Sequence, residues 1–181
     1  MRIISGIYRS RKIDMVNKNT TRETTDKVRG AIFNIINPYT DGGVVLDLFA
    51  GSGAMGIEAI SRGAEIAYFN DIDSEAQRVI EKNLKTLNIG NYKLLKNDFH
   101  DALRNFRGKG TKFDIVFLDP PYEMNVYEEI ISYMLDFNLL NPNALIICEY
   151  KKELVLNVDL PVLKEKTYGI RKVTVYCNGD L

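Results

Sequence analysis

Asp119-Pro120-Pro121-Tyr122 follows directly on the apolar run Ile-Val-Phe-Leu. Proline has no N–H to donate and a locked φ, so two in a row end a sheet ladder. An isolated Pro-Pro-Tyr reads equally well as a strand terminator with a surface aromatic. With an acid ahead of it, the same segment also offers a fixed carboxylate, a rigid carbonyl and a ring at the end of a buried strand. A second chemical signal is the GxGxxG segment Gly51-Ser52-Gly53-Ala54-Met55-Gly56, which follows an apolar run and opens a helical pattern. Three acids accompany it. Asp47 lies just ahead of the loop, Asp71 lies 20 residues past Gly51, and Asp98 follows the third apolar run.

Glycines at this spacing let a nucleoside cofactor approach the backbone, and Asp71 suits its ribose hydroxyls. A glycine turn that only packs helix on strand is the alternative. Asp47 narrows the ligand, because a fixed negative charge there opposes a pyrophosphate. S-adenosylmethionine has no phosphate and carries two positive groups, a sulfonium and an ammonium. Two unit charges about 4 Å apart interact by roughly 4 kcal/mol at an effective dielectric of 20, so the sign favours the methyl donor. Asp98 can accept from the adenine amino group, with the Phe99 ring or backbone against the base, or it can simply cap the following helix. The Asp119 carboxylate and the Pro120 carbonyl can then accept from the N–H groups of an exocyclic amine and aim its lone pair at the methyl carbon. Pro121 stiffens that loop, and Tyr122 offers a face on which a base can stack. No metal or nucleophilic side chain is required, since the leaving group is already a sulfonium.

The elements that must hold these residues are readable from periodicity. Val28, Ala31, Ile32, Ile35 and Ile36 form one helical stripe, capped by Thr24 or Thr25 and stopped by Pro38 and Asp41-Gly42-Gly43. From Val44 the rhythm becomes strand, glycine turn, helix. Strands are expected at 44–49, 66–70, 92–96, 113–119 and 144–150, with a helix at 127–135 before the last. The 74–87 helix opens with a Ser74-x-x-Gln77 capping box. The tail holds two further strands around a tight turn at Gly169, too close for a crossover helix. Alternating strands and helices mean a parallel, doubly wound α/β sheet, placing all three acids at the carboxyl ends of strands. The opening segment, residues 2–13, reads as a short β-hairpin.

The 181 residues suit one domain. Lys+Arg and Asp+Glu balance at 24 each, which excludes a uniformly basic chain. The charge is nevertheless uneven. Residues 1–30 carry Arg2, Arg9, Arg11, Lys12, Lys18, Arg22, Lys27 and Arg29 against Asp14, Glu23 and Asp26, so this end is +5 and the remainder −5. Such an end is a candidate polyanion contact, or only a solvated face. Cys148 and Cys177 lie in apolar strands without CxxC spacing and read as core residues in a reducing compartment. His100 is expected at an exposed loop or helix start, and with one histidine and no clustered thiols no zinc site is expected. No leader and no apolar run near 18 residues is visible, so a cytoplasmic chain is expected.

"LDLFAGSGAMGIEAISRGA", "FNDID", "FDIVFLDPPY" and "RIISGIYRSRKI…TRETTDKVRGAIFNII" together resemble the bacterial 16S (small-subunit) ribosomal RNA guanine-N2 methyltransferase family. The likeness spans nearly the whole chain. The glycine and DPPY motifs are shared by many aminomethyltransferases, and the Thr-Arg-x-Thr-Thr-Asp-Lys-Val-Arg block narrows the match. The resemblance implies a seven-stranded Rossmann-like, class I methyltransferase sheet with an antiparallel C-terminal pair. It implies an RNA-facing hairpin-and-helix extension over 1–40 and a catalytic domain over 41–181. By the same resemblance Asp47, Gly51, Ser52, Gly53, Asp71, Asp98 and Phe99 hold S-adenosylmethionine, with Thr24 and Thr25 closing over it. Asp119, Pro120, Pro121 and Tyr122 form the catalytic loop. Arg22, Lys27 and Arg29 face RNA, with Arg2, Arg9, Arg11 and Lys12 on the hairpin behind. The expected partner is 16S ribosomal RNA within an assembled or assembling small subunit, bound by a monomer. The chain departs from the family at Glu23, where proline is usual, and at Asp71, where glutamate is usual.

Three other readings compete. A DNA adenine methyltransferase shares DPPY but usually adds a sizeable target-recognition region. An NAD-dependent oxidoreductase is opposed by Asp47 and lacks a proton-relay set. A non-catalytic RNA-binding assembly factor would leave the intact DPPY unexplained.

Overall fold

Residues 1–16, 26–121 and 123–179 are described by the structure, a computed structural model. The elements are α1 (Asp26–Ile36), a 3₁₀ turn (Asn37–Tyr39), β1 (Val44–Asp47), α2 (Ala54–Ser61), β2 (Ile66–Asn70), α3 (Ser74–Leu87) and β3 (Tyr92–Leu95). They continue with α4 (Phe99–Lys109), β4 (Phe113–Leu118), α5 (Tyr127–Asp136), β5 (Leu140–Lys151), β6 (Val162–Tyr168) and β7 (Arg171–Asn178). The described strands form one sheet in the order β3-β2-β1-β4-β5-β7-β6. β1 to β5 are parallel, and β7 enters antiparallel between β5 and β6. Strand order reverses direction between β1 and β4, the place where an open α/β sheet leaves a crevice.

Side chains along each strand alternate between two buried faces. Val45, Phe69, Phe117 and Ile147 meet Ile32 and Phe33 of α1, Ile57 of α2 and Ile80 of α3. On the other face Leu46, Val116, Leu118 and Ile146 meet Phe99 and Phe106 of α4 and Ile130 and Met134 of α5. Ile3 and Ile13 join the first face, so the amino-terminal segment shares the core of the sheet. Cys148 and Cys177 are both buried, as their strand patterns suggested.

Three local expectations change. The opening hairpin forms without extended strands: one antiparallel bridge joins Arg2 and Lys12, and the Ile3, Ser10 and Ile13 N–H groups donate to the Arg11, Ile3 and Met1 carbonyls at 3.0, 2.8 and 3.1 Å. Other amides of the segment bind α2: Ile4 and Ser5 donate to the Glu58 carboxylate at 2.8 and 3.0 Å. Tyr8 donates to Ser61 Oγ at 3.0 Å and Ile7 to the Ser61 carbonyl at 2.8 Å. The segment is thus a short hairpin strapped onto α2. Gly6 is required there, because an added Cβ would lie 1.6 Å from the Ser61 carbonyl oxygen. Second, α3 is capped by Asp73, whose side chain accepts from the Glu75 N–H, rather than by Ser74. Gln77 donates to the carbonyls of Asp71 and Leu95 and closes no capping box. Third, β5 begins four residues early, at Leu140, through Asn141-Pro142-Asn143, with a register shift against β4.

Candidate active site

The glycine loop assigns each of its glycines a separate task. Gly53 sits at φ 78° as the residue that starts α2, a conformation most side chains avoid. Gly56 packs the helix onto β2 so closely that a Cβ would come 2.3 Å from the Phe69 ring. A Cβ on Gly51 would meet no heavy atom within 4 Å, so the loop faces open space there. Ser52 is buried, and its carbonyl accepts from Asn83 Nδ2 at 3.0 Å. The loop is held from the acid side as well. Asp71 Oδ2 accepts from the Gly51 N–H at 2.9 Å, and Oδ1 accepts from the Asp73 N–H at 2.9 Å.

Asp47, at the end of β1, is only 4 % exposed. The Gly56 N–H donates to its Oδ2 at 3.1 Å. Burial pushes its carboxyl up to about 7; the Gly56 hydrogen bond opposes this and the charge of Asp71 adds to it. A cation in the neighbouring space would relieve that cost, whereas a phosphate would increase it. Open room at Gly51, a buried acid at Asp47 and a carboxylate at Asp71 therefore fit a positively charged nucleoside.

Asp98 caps α4, its Oδ1 accepting from the His100 N–H at 2.9 Å and meeting His100 Nδ1 at 2.8 Å. His100 Nε2 reaches Glu129 Oε1 of α5 at 2.8 Å, so the imidazole bridges two helices beside the crevice. Burial acts to raise the Asp98 carboxyl, but its bonds from His100 prevail and hold it below the ordinary value. The Asp98 bond and then Glu129 raise the His100 pKa against partial desolvation. His100 is thus at a helix start, as expected. Phe99 is buried against Phe49, so its ring serves the core and only its backbone is left for a base. Ile72, 66 % exposed, is a large apolar side chain beside Asp71 that the sequence reading passed over.

Asp119 follows β4, with Pro120 buried and Pro121 exposed. The Met124 N–H donates to the Pro121 carbonyl at 2.8 Å and closes the turn. Tyr122, Arg22, Thr24 and Thr25 lie outside the described residues. A cleft of about 90 Å³ brings Asp47, Gly51, Ser52 and Asp119 together under Ile32 of α1, and its wall includes Glu149 of β5. Glu149 was missed. The signal was present in Ala144–Tyr150, a strand apolar throughout except for one acid at its carboxyl end.

The basic end divides. Arg2, Arg9, Arg11, Lys12 and Lys27 are exposed. Arg29 is fully buried, which corrects its expected RNA-facing role. Its guanidinium donates to the Arg2 carbonyl and to Asp26 and lies 3.7 Å from Glu58 Oε2, anchoring the amino-terminal segment from beneath. It falls on the inner side of α1 with Val28 and Ile32, a position the charge count alone did not separate.

Residues 1–177 match the model of the family described as conserved hypothetical protein 95. The provisionally named rRNA methyltransferase YlbH of Bacillus subtilis is 40 % identical over 180 residues, 97 % of this chain and 98 % of that protein. Ribosomal RNA small subunit methyltransferase D of Haemophilus influenzae is 38 % identical over 182 residues, 98 % of this chain and 94 % of that protein. Among solved structures, a chain from Escherichia coli provisionally named methyltransferase yhhF superposes with a TM-score of 0.87 at 35 % identity, covering 100 % of this chain and 99 % of that one.

Proposed function

The chain belongs to the conserved hypothetical protein 95 family, and from that membership and the crevice geometry we propose that it methylates the N2 amine of a guanine in 16S ribosomal RNA, with S-adenosylmethionine as donor. The observation that carries this reading is the convergence of Asp47, the open Gly51 loop and Asp119 on one cleft. The donor supplies an electrophilic methyl group on a sulfonium, with a neutral thioether as leaving group.

Everything else falls to this chain. Asp71 holds the ribose hydroxyls while keeping the glycine loop in place through the Gly51 N–H. Asp47 balances the donor's positive charge. The Asp119 carboxylate and the Pro120 carbonyl accept from the guanine amine, turning its lone pair toward the methyl carbon. The carboxylate also stabilises the positive charge that develops on nitrogen before its proton departs to water. Tyr122 stacks on the base, recovering part of the cost of unstacking it. Thr24 and Thr25 close over the donor. Residues 1–40 serve the RNA through Arg2, Arg9, Arg11, Lys12, Arg22 and Lys27, and residues 41–181 serve the chemistry. The chain acts as a monomer in the cytoplasm, on RNA of an assembled or assembling small subunit.

Adenine-N6 methylation of DNA is not favoured, since the relatives that span nearly the full chain are named for ribosomal RNA. The test is transfer of labelled methyl groups to small subunits and to free ribosomal RNA from cells lacking the gene, followed by nucleoside identification. Label in N2-methylguanosine supports the reading; label only in N6-methyladenosine overturns it.

A further inference from the structure

DPPY reads an amine, and both guanine and adenine carry one. Asp119 and Pro120 therefore leave open what selects the base. The sheet register supplies a second carboxylate in the right place. Asp47 pairs with Phe117 and Phe117 with Ile147, a row of three on one face of β1, β4 and β5. Leu118 pairs with Cys148 on the opposite face. Two residues beyond Phe117 and Ile147 come Asp119, which follows β4, and Glu149 of β5, at the alternation of the Asp47 face. Both line the cleft.

Glu149 is 3 % exposed, and its carboxylate is paired with the Arg171 guanidinium of β7, itself 6 % exposed. Arg171 reaches it from two positions before Val173, the β7 register partner of Glu149. The Glu149 backbone is fixed too, its carbonyl accepting from the Tyr127 hydroxyl at 2.7 Å. A buried ion pair is no better for stability than an apolar pair of similar volume. One built into the wall of a substrate cleft, on three neighbouring elements, calls for a reason in recognition. The mechanism above gives it none.

Guanine supplies that reason. Beside its 2-amine it carries an N1–H, a donor on the same edge. Adenine carries at the corresponding ring nitrogen a lone pair. A carboxylate only accepts, and with about four lone-pair sites its pairing with Arg171 does not exhaust it. We propose that Glu149, held by Arg171, is the specificity-determining residue that accepts from guanine N1–H while Asp119 accepts from the adjacent amine, an inference that rests on the guanine-N2 reading. Adenine in the same pose would set its N1 lone pair against the carboxylate, a repulsion in place of a hydrogen bond. Sites built to receive a hydrogen bond reject analogues that cannot make it far more strongly than apolar pockets reject misfits.

The test uses ribosomal RNA in which the methylated guanosine, once located, is replaced by 2-aminopurine. That base keeps the 2-amine but has no N1–H. In single turnover the wild type is expected to favour guanine by roughly 10–100-fold. Glu149→Leu is expected to lose a similar factor on guanine and to favour guanine over 2-aminopurine by less than about threefold, because no acceptor is left for the N1–H. S-adenosylmethionine affinity, read by calorimetry, should stay within about threefold. Undiminished discrimination by the variant overturns the proposal. So does a tenfold or greater loss of donor affinity with discrimination intact, which would assign Glu149 to the donor's ammonium. Should Glu149→Leu fail to fold once Arg171 loses its carboxylate, Glu149→Leu with Arg171→Met tests the same comparison. If the wild type itself forms N6-methyladenosine, the guanine reading fails, an outcome distinct from a Glu149 variant that still discriminates.

Discussion

Asp47 should make donor binding depend on pH. Its carboxyl is held at about 7 by burial in the free protein. Bound to a cation it must ionise, so the protonated fraction is lost to binding. With a free-state pKa of about 7 and a bound value at or below the ordinary range, the dissociation constant scales as one plus the ratio of protonated to ionised Asp47. That factor grows by about 25-fold between roughly pH 7.5 and 5.5. Titration calorimetry across that range reads it directly, and binding near neutral pH should release protons to buffer.

Asp47→Asn supplies the internal control, with two effects of opposite sign. It should weaken donor binding near pH 8 and flatten the pH dependence. It should also stabilise the free protein at that pH. For a carboxyl whose folded pKa lies above its unfolded value, the folded state binds the extra proton between about 4 and 7. Stability from this group therefore rises as pH falls through that window, and is lost as pH climbs past 7, by at most about 4 kcal/mol. His100 also titrates nearby, so His100→Gln should be measured alongside, to separate its share. A wild-type affinity flat from pH 7.5 to 5.5, or a slope that survives Asp47→Asn, would refute the reasoning.

Arg29→Met should lower stability by about 1–3 kcal/mol, because the Arg2 carbonyl loses its buried donor while Glu58 keeps Arg62, and leave the salt dependence of RNA binding unchanged, as denaturant unfolding and filter binding would show. Arg9 and Arg11 changed together to Ala should do the reverse, flattening the salt slope by about 0.7 per lost phosphate contact with no change in melting temperature. Gly6→Ala places a methyl group against the Ser61 carbonyl and should release residues 1–13 from α2, seen as faster amide exchange at Ile4, Ser5 and Tyr8. Asp71→Ala removes a ribose acceptor and the brace on Gly51, and donor affinity by calorimetry should fall by roughly 1.5–3 kcal/mol.

Local patterns carried much of the fold. β2 and α3 fall on the residues their periodicity marked, 66–70 and 74–87, because each is a short run whose apolar spacing meets one face of the core. The glycine loop was readable since its geometry demands glycine, and DPPY since proline excludes the ladder. What escaped depends on partners distant in sequence. The amides of Ile4 and Ser5 bind Glu58, more than fifty residues away, so the opening hairpin is also a strap across α2. Arg29 looks like any other cation until the helix turns it onto Met1, Arg2 and Glu58. Glu149 became interpretable only when β5 brought it into the same cleft as Asp119. The Asp73 cap was a near miss, since neighbouring Asp and Ser are both good caps and only the turn geometry chooses between them.

The central claim is that the carboxylate of DPPY orients the attacking amine, and one rate tests it most directly. Single-turnover methyl transfer to the small subunit is compared for wild type and Asp119→Ala, each with donor saturating and its dissociation constant measured separately. A loss of about 10²–10³ in rate is expected, with donor affinity within about threefold and partial recovery in Asp119→Asn, which keeps a carbonyl acceptor. Transfer by Asp119→Ala at the wild-type rate would contradict the claim and leave DPPY as the end of a strand.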